Sequence, residues 1–345
     1  MSTRKVHSHS TTEPLVEIIA SREVPLGGPR GMTVQRTIPQ RQRSMIGAWC
    51  FCDHFGPDDV AKTGGMDVAP HPHTGLQTVS WLFEGNVTHH DSGDNHGVVR
   101  PGEVNLMTAG AGICHSEVST QDTTILHGVQ LWTVLPDAAR NTAPRSFEHY
   151  APELIERDGL SALVFVGSLL GETSPIRTFS PLVGAELRLA PGASATVPVD
   201  AAFEHGLLVD SGEIQLNGTA IPRTAMGYTG VGETVLTITN TGTTAARMVL
   251  IGGEPFGENI VMWWNFIGRT HDEVVAAREA WQREGRLPGP AQGLPTTRFG
   301  KVDGYVGHRP DGLSRLPAPG LPRTTLKARV NPAPHAFSGP RPLNE

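Results

Sequence analysis

Two pairs of side chains in the first half of the chain have types and spacings suited to binding a metal ion. His71 and His73 flank a proline, and His115 and Glu117 flank a serine. Since residues i and i+2 of a β-strand point to the same face, each pair would present its two side chains to one side of a sheet. Three imidazoles and one carboxylate suit Fe(II), Mn(II), Ni(II), Cu(II) or Zn(II), and leave coordination positions for water or substrate.

The alternative without a metal is that His71 and His73 are solvated loop histidines and that His115 and Glu117 form a surface ion pair. A single His-X-His is a weak signal, whereas two ligand pairs separated by a β-hairpin's length of chain are a stronger one. The small residues between Thr108 and His115 allow the sharp bend and close packing that a site needs. The sequence therefore predicts one divalent metal ion held by all four residues.

Other histidines and cysteines are weaker candidates. Cys50 and Cys52 would point to one side of a strand, but two buried small side chains are a better interpretation than a soft-metal or redox pair. Cys114 would point away from the face of His115, so it is not assigned as a ligand. The remaining candidates are assigned to turns, hydrogen bonds or structural positions, with the cavity or its entrance left open as the alternative: His54, His89, His90, Asp91 and His127.

The elements that must position these side chains are predicted to be short β-strands. Apolar residues alternate with polar ones in short runs, and Gly, Pro and Asn separate the runs. Such runs lie at 77–83, 126–132, 185–189 and 234–239. Asn217-Gly218 is a typical two-residue hairpin turn. Many short strands of this kind indicate a sandwich or barrel.

Two stretches are predicted to be helical. The first, 152–157, is short and lies where one domain could lead to the next. The second, 270–284, begins with Thr270 and Glu273 at the spacing of a capping box. Its apolar face would comprise Val274, Ala277 and Trp281.

Length and composition limit the class of protein. A chain of 345 residues predicts two domains, and 40 Gly with 28 Pro fit many strands joined by tight turns. The formal charge of −6 argues against a dedicated nucleic-acid binder. Three cysteines do not make a disulfide scaffold, and neither a secretory signal nor a run of about 18 apolar residues is visible. We therefore expect a cytoplasmic protein without a membrane span.

Changes in composition predict the domain boundaries. We expect an N-terminal domain with the metal site over 1–155, a C-terminal domain over 156–290, and a Pro-rich basic tail over 291–345. Residues 287–345 contain 11 of the 28 prolines, and eight Lys or Arg against three Asp or Glu. Such a tail could dock back onto the acidic body or bind a partner, and a loosely wrapped extension is the simplest interpretation.

A series of motifs follows in order along roughly residues 15–290. These are Asp53-His-Phe-Gly-Pro57, His71-Pro-His-Thr-Gly75, Thr78-Val-Ser-Trp-Leu82, His90-Asp-Ser92, Pro101-Gly-Glu-Val104, Met107-Thr-Ala-Gly110, His115-Ser-Glu117, Gly253-Glu-Pro255 and Trp263-Trp-Asn-Phe266. The ordered series resembles the pirin family of the cupin superfamily, and its last two motifs resemble the end of pirin-type proteins from bacteria.

The resemblance implies an all-β bicupin, in which two jelly-roll barrels pack face to face and one short helix follows. In pirins the N-terminal barrel binds the metal through residues that match His71, His73, His115 and Glu117 here. The C-terminal barrel of pirins has lost its ligands. The ligand set expected from the spacing of the residues is therefore also the set that the resemblance implies.

Two details of this sequence bear on that implication. Residues 160–290 contain His205 and His271 but no His-X-His pair, which agrees with a barrel without ligands, and we expect His205 to be a satisfied histidine near a strand. Pirins often carry Glu four residues after the second histidine, whereas this chain has Gln77. Glu117 must then be the anionic ligand, and Gln77 could orient a ligand from behind.

Some bacterial pirins resemble quercetin 2,3-dioxygenases, which cleave a flavonol with O2 and release carbon monoxide. The resemblance implies a small flavonol-like aromatic substrate, O2, and Fe(II) as the first choice of metal, with Zn, Mn, Ni or Cu as alternatives. Glu117 would accept the proton of the substrate's 3-hydroxyl, because it is the one carboxylate of the predicted ligand set. The alternatives are a non-enzymatic iron-binding redox sensor that binds a partner protein, and a metal that only stiffens the fold.

Overall fold

The structure is a computed structural model that describes residues 16–26, 32–286, 297–305, 307, 315–329 and 331–332. The first half contains β1 (Glu17–Ile19), β2 (Arg22–Pro25), β3 (Thr33–Ile38), β4 (Trp49–Asp59), α1 (Val60–Thr63), β5 (Asp67–His73), β6 (Leu76–Glu84), β7 (Val87–Asp91), β8 (His96–Val99), β9 (Val104–Thr108), β10 (Ile113–Ser119), β11 (Ile125–Val134) and β12 (Ser146–Tyr150).

The second half contains β13 (Ile155–Arg157), β14 (Leu160–Val166), β15 (Ser168–Leu169), β16 (Glu172–Thr173), β17 (Leu182–Leu189), β18 (Ser194–Pro198), β19 (Glu204–Ser211), β20 (Ile214–Leu216), β21 (Thr219–Ile221), β22 (Met226–Thr229), β23 (Val235–Asn240), β24 (Ala246–Gly253), β25 (Val261–Trp263), β26 (Phe266–Gly268) and α2 (His271–Glu284).

Most of these strands form two barrels of the same construction, and β15-β16 and β25-β26 are separate two-stranded sheets. The first combines a seven-stranded sheet, β12-β9-β6-β11-β4-β3-β2, with a four-stranded sheet, β5-β10-β7-β8. The second combines a seven-stranded sheet, β1-β22-β19-β24-β17-β14-β13, with a four-stranded sheet, β18-β23-β20-β21. The alternating runs of the sequence overlap β6, β11, β17 and β23. The prediction of an all-β bicupin is confirmed.

The two seven-stranded sheets pack against each other through large buried side chains. Trp81 on β6 stacks on Phe165 on β14, with ring centroids 4.7 Å apart. The Trp81 indole nitrogen donates to the carboxylate of Glu186 at 2.7 Å, and that of Trp49 donates to the carbonyl oxygen of Gly252 at 3.0 Å. Aromatic side chains bury much apolar area while each indole N–H keeps a partner, so they tie the barrels together.

The strand β1 precedes the strands of the first barrel in the sequence but pairs with a strand of the second. It pairs with β22 of the second barrel, with Ile18 opposite Gly227. Ile19 is fully buried in the core that both barrels share. A strand that precedes the first barrel in the sequence thus belongs to the sheet of the second barrel. The domain boundaries 1–155, 156–290 and 291–345 stay predictions.

The helix predicted over 152–157 is wrong. Ile155–Arg157 is the strand β13, which pairs with β14 and places Ile155 opposite Ala162. The connecting residues Asp158 and Gly159 have φ of 41° and 83°, the left-handed values of a tight hairpin turn. Six residues cannot offset the cost of nucleating a helix, whereas the hairpin adds a strand to an existing sheet.

The helix predicted over 270–284 is confirmed. The side chain of Thr270 accepts a hydrogen bond from the backbone N–H of Glu273, and Val274, Ala277 and Trp281 are buried. Within the described part of the chain, no helix is long and apolar enough to cross a membrane.

A segment after α2 packs on the first barrel; we call its described residues between 297 and 332 the C-terminal arm. The ring of Phe299 is fully buried. The backbone N–H of Leu316 donates to the carbonyl oxygen of Pro70 at 2.9 Å, and the carbonyl oxygen of Leu316 accepts from the indole of Trp281 at 2.9 Å. These contacts hold the arm beside β5, the strand that carries the first predicted ligand pair.

Candidate metal centre

Strands β5 and β10 lie side by side and carry the predicted ligands. His71 lies directly opposite His115 in the antiparallel register, and His73 lies two residues farther along β5. The ring centroids are 4.3 Å apart for His71 and His115, 4.8 Å for His73 and His115, and 5.0 Å for His71 and His73. One ligand nitrogen of each ring lies within 4.8 Å of the others, so these three side chains could hold a metal ion.

Glu117 lies on the same strand as His115, but the register of β10 with β5 shifts between the two residues. Its carboxylate is not part of the compact three-histidine group, although Glu117 lines the same cavity. Burial raises the pKa of Glu117 to about 7, and a hydrogen bond with Ser80 acts in the opposite direction. A carboxyl with this pKa can take up or release a proton near neutral pH. Its role as the fourth ligand stays a prediction.

The three histidine rings are buried and have nitrogens without hydrogen-bond partners. Among the residues that the structure describes, both nitrogens of His73 and Nε2 of His115 lack a partner. Nδ1 of His71 lies 2.9 Å from the carbonyl oxygen of Ala69. Burial lowers the pKa of His71 to about 4, and it lowers those of His73 and His115 well below the ordinary value. The rings are therefore neutral at pH 7, the form that binds a metal, and the donor set fits a divalent ion.

His89 and Asp91 on the neighbouring strand β7 orient the His115 ring. Nε2 of His89 lies 3.1 Å from Oδ2 of Asp91, and Nδ1 of His89 lies 3.4 Å from Nδ1 of His115. When Nε2–H of His89 donates to Asp91, a neutral His89 can accept from Nδ1–H of His115. Nε2 of His115 is then left as its ligand atom. Fixing the tautomer of a ligand in this way is the usual function of a side chain that contacts the ligand but not the metal. Sequence reasoning missed this contact, because it depends on the pairing of β10 with β7.

A cavity of about 490 Å³ leads to the three histidines. Phe51 and Trp132 form an aromatic part of its wall, with stacked rings 4.0 Å apart, and the Trp132 ring meets His73 edge-on at 5.1 Å. The C-terminal arm supplies another part through Leu316 and Pro317. The volume lies within the range of small-molecule sites, about 300–1,000 Å³. The wall residues carry no metal-ligand signal, so sequence reasoning did not find them.

The cysteines do not reach this group. Cys50, Cys52 and Cys114 are all buried and unbridged. Burial raises the pKa of each thiol to about 12, so all three stay protonated. A protonated thiol is neither a good ligand nor a nucleophile, which supports their interpretation as small core side chains.

Gln77 does not orient a ligand, and that prediction is wrong. Its amide nitrogen donates to the hydroxyl of Thr108 and to the carbonyl oxygen of Arg177, both at 3.0 Å. Its amide oxygen accepts from the hydroxyl of Thr133 at 3.2 Å. None of these partners is a predicted ligand, so Gln77 stabilises the packing between strands instead.

A second buried group contains His54, His127 and Asp210. The Nε2 atoms of the two histidines lie 2.7 and 2.6 Å from the same Oδ1 of Asp210, and Nε of Arg247 donates to Oδ2 at 2.8 Å. Burial acts to raise the pKa of Asp210, but hydrogen bonds from His127 and His54 and the charge of Arg247 outweigh it and hold the pKa well below its usual range. The three donors occupy both carboxylate oxygens, so hydrogen bonds and an ion pair already satisfy Asp210 and join the two barrels.

His205 is buried in the second barrel, but the expectation that it is satisfied is wrong. It is 1% exposed, and neither ring nitrogen has a hydrogen-bond partner in the described ranges. Burial lowers its pKa to about 4, so the ring is neutral. Unlike the histidines of the first barrel, it belongs to no group of three candidate ligands among the described residues.

Comparisons with known proteins agree with this architecture. The family model of pirin matches residues 31–133, and that of the pirin C-terminal cupin domain matches residues 184–287. A Pseudomonas aeruginosa protein whose name proposes a quercetin 2,3-dioxygenase is 40% identical over 312 residues, which are 90% of this chain and 92% of that protein. A pirin-like protein of Caulobacter vibrioides is 34% identical over 267 residues, 74% of this chain and 90% of its own.

A solved structure is similar over nearly the same length. The crystal structure of a quercetin 2,3-dioxygenase from Acinetobacter baumannii is 38% identical, with a TM-score of 0.81, and covers 92% of this chain and 98% of its own. The similarity spans both barrels. From its two matching domains and these relatives, the chain belongs to the pirin family.

Proposed function

We propose that this protein is a metal-dependent dioxygenase that cleaves flavonol-like aromatic compounds with O2. The observation that carries the proposal is that unpaired nitrogens of buried histidines meet in a cavity of about 490 Å³. Such a cavity is large enough for a small aromatic molecule. The names of the Pseudomonas and Acinetobacter relatives support the choice of flavonols as the substrate class.

The ligand set of this proposal is the one expected from the sequence. The metal ligands are His71, His73, His115 and Glu117, and Fe(II) is the first choice, with Zn, Mn, Ni or Cu as alternatives. A bound ion would activate the substrate oxygen as a Lewis acid and, as iron or copper, would supply the redox chemistry of O2. The substrate takes up both oxygen atoms of O2 and loses one carbon as carbon monoxide, which leaves an ester.

The chain's own side chains have three tasks in this reaction. Glu117 takes the proton of the substrate's 3-hydroxyl, because it is the one carboxylate of the proposed ligand set. The stacked rings of Phe51 and Trp132 offer an aromatic surface for the flavonol rings. The buried side chain of Val68 adds an apolar surface to the cavity wall.

The cavity also argues against the non-enzymatic alternative. An iron-binding redox sensor that binds a protein partner needs no space beside its metal, whereas an enzyme needs an open path for its substrate. Here the exposed side chains of Arg22 and Pro25 line the same cavity as the buried histidines. An open path of this kind favours the enzyme.

Oxygen uptake tests the proposal directly. Purified protein is loaded with Fe(II) under anaerobic conditions and mixed with quercetin in air-saturated buffer, and O2 consumption and carbon monoxide release are recorded. We expect the amount of O2 consumed to equal the amount of carbon monoxide released. Glu117→Gln should lower kcat by about 100-fold or more. Glu156→Gln, at an exposed position in β13, is the matched control and should keep full activity. If the loaded protein consumes no O2 and releases no carbon monoxide, the proposal is wrong.

A further inference from the structure

Two arginines lie at the open part of the cavity and form no ion pair among the described residues, although the charge of Arg22 acts on the pKa of Asp53. Arg22 is on the edge strand β2 and is exposed, and Arg329 is on the C-terminal arm and is half-buried. Both line the cavity that leads to the histidines, and both line the pocket beside it. The guanidinium of Arg22 donates to the carbonyl oxygen of Pro39 at 3.3 Å, a neutral partner.

The fold holds these two positive charges in place. The backbone N–H of Arg329 donates to the carbonyl oxygen of Ile260 at 2.9 Å. Two residues later, the side-chain oxygen of Asn331 accepts from the backbone N–H of Ser44 at 2.9 Å. Burial lowers the pKa of Arg329, and the charge of Arg22 lowers it further, yet an arginine stays protonated at neutral pH. An anion bound beside both side chains would relieve this repulsion.

The other charged groups of the cavity do not neutralise the pair. Arg36 is already neutralised by Asp53, which accepts two hydrogen bonds of 2.6 Å from it. Glu117 is buried at the histidine end, 8% exposed. Arg41 lines the neighbouring pocket and adds another positive charge near the pair. The cavity therefore combines a positive mouth with a buried histidine end.

We propose that Arg22 and Arg329 form an anion-binding subsite, which takes an aromatic ligand with a carboxylate at the end remote from the histidines. For the aromatic part of the ligand this inference rests on the proposed function. A guanidinium binds a carboxylate through parallel charge-assisted hydrogen bonds, which fix orientation as well as affinity. Because Arg329 belongs to the arm, the arm takes part in selecting the ligand.

The test compares ligands that differ in charge alone. Dissociation constants are measured by calorimetry on the full-length purified protein for 1-naphthoate and neutral 1-naphthamide, and for 4′-carboxy-3-hydroxyflavone and its 4′-carboxamide. The variants are Arg22→Gln, Arg329→Gln and the double substitution. Arg323→Gln is the matched control, since Arg323 is exposed on the same arm and does not line the cavity. We expect wild type and control to prefer each carboxylate by about tenfold, and the double variant to lose that preference.

The two ligand pairs separate the subsite from the proposed function. A preference for naphthoate that disappears in the double variant supports the subsite, even if neither flavonol binds and the flavonol proposal falls. Equal affinity for charged and neutral ligands in wild type overturns the subsite, even if neutral quercetin is oxidised. A carboxylate preference that survives the double substitution overturns it as well. If the double variant has a lowered Tm, the carboxylate preference of Arg22→Gln alone is compared with that of wild type, because the exposed side chain of Arg22 contributes least to the fold.

Discussion

The first barrel contributes histidines to two buried groups that have similar dimensions and different hydrogen bonding. Within the barrel, His71, His73 and His115 face one another, and in the second group His54 and His127 meet Asp210 of the other barrel. In both groups the candidate ligand atoms lie within 4.8 Å of one another. Among the described residues, both nitrogens of His73 and Nε2 of His115 lack partners in the first group. In the second group both Nε2 atoms donate to one carboxylate, and Nδ1 of His54 is the nitrogen without a partner in the described ranges.

The difference shows that closeness of ligand-type atoms does not by itself define a metal site. In the second group the guanidinium of Arg247 already neutralises Asp210, so a metal ion would meet a positive charge and would have to displace formed hydrogen bonds. In the first group the rings are neutral, and three of their nitrogens have no partner among the described residues. A divalent ion there would satisfy buried polar atoms that otherwise have no partner.

The largest expected difference between the groups is in metal content. His71→Ala combined with His73→Ala removes two of the three grouped ligands, and we expect the metal to fall from one equivalent to none. The matched control, His54→Ala combined with His127→Ala, should keep its full equivalent. Elemental analysis of proteins purified in parallel measures both. Loss of metal in the control alone would reverse our assignment of the two groups.

Removing the carboxylate of the second group should have the largest effect on stability. Asp210→Ala leaves two buried histidine donors and the half-buried Arg247 without their acceptor, and we expect a loss of about 3–5 kcal/mol in the free energy of unfolding. Chemical denaturation of metal-free protein measures it. Glu156→Ala, at an exposed position, should change the free energy by less than about 0.5 kcal/mol. Equal stabilities of Asp210→Ala and wild type would show that the barrels do not depend on this contact.

The pH dependence of stability should have opposite signs for the two buried carboxyls. The folded state lowers the pKa of Asp210, so its contribution is complete above the unfolded pKa of about 4 and is lost as the pH falls further. Burial raises the pKa of Glu117 to about 7 in the metal-free protein. The contribution of Glu117 to stability is therefore complete below the unfolded pKa of 4.5 and is lost as the pH rises towards 7.

Glu117→Gln tests the predicted pH dependence of stability that comes from Glu117. In metal-free protein this variant should gain about 1–3 kcal/mol relative to wild type as the pH rises from 4.5 to 7. Asp210→Asn should instead approach wild-type stability as the pH falls below about 4. Urea denaturation at a series of pH values measures both. Parallel curves for Glu117→Gln and wild type would contradict the raised pKa.

The smallest predicted effect concerns the residue behind His115. His89→Phe keeps a ring to stack on Phe147, 4.2 Å away, but removes the hydrogen bond to His115. We expect metal affinity to fall by about tenfold, measured by competition with a chelator. His96→Phe is the control, because His96 is exposed and contacts none of the candidate ligands among the described residues. An unchanged affinity in His89→Phe would mean that packing alone orients the His115 ring.

Local patterns in the sequence predicted the parts of this protein that depend on local geometry. The i, i+2 rule places His71 with His73 on one face of β5, and the capping residue Thr270 begins α2. What escaped prediction depends on strand order and on distant packing. His89 reaches His115 only because β7 pairs with β10, and Arg329 reaches the cavity only through the path of the arm. Neither contact leaves a periodic signal in the chain.

The C-terminal arm also bears on how proteins of this kind diverge. Substitutions in Leu316, Pro317 or Arg329 alter the cavity wall but leave every candidate metal ligand unchanged. Part of the cavity wall therefore lies in a stretch of sequence separate from the candidate ligands, and this part can change without them. Two relatives that share all four predicted ligand positions need not share a substrate, and comparing their arms is the first way to tell them apart.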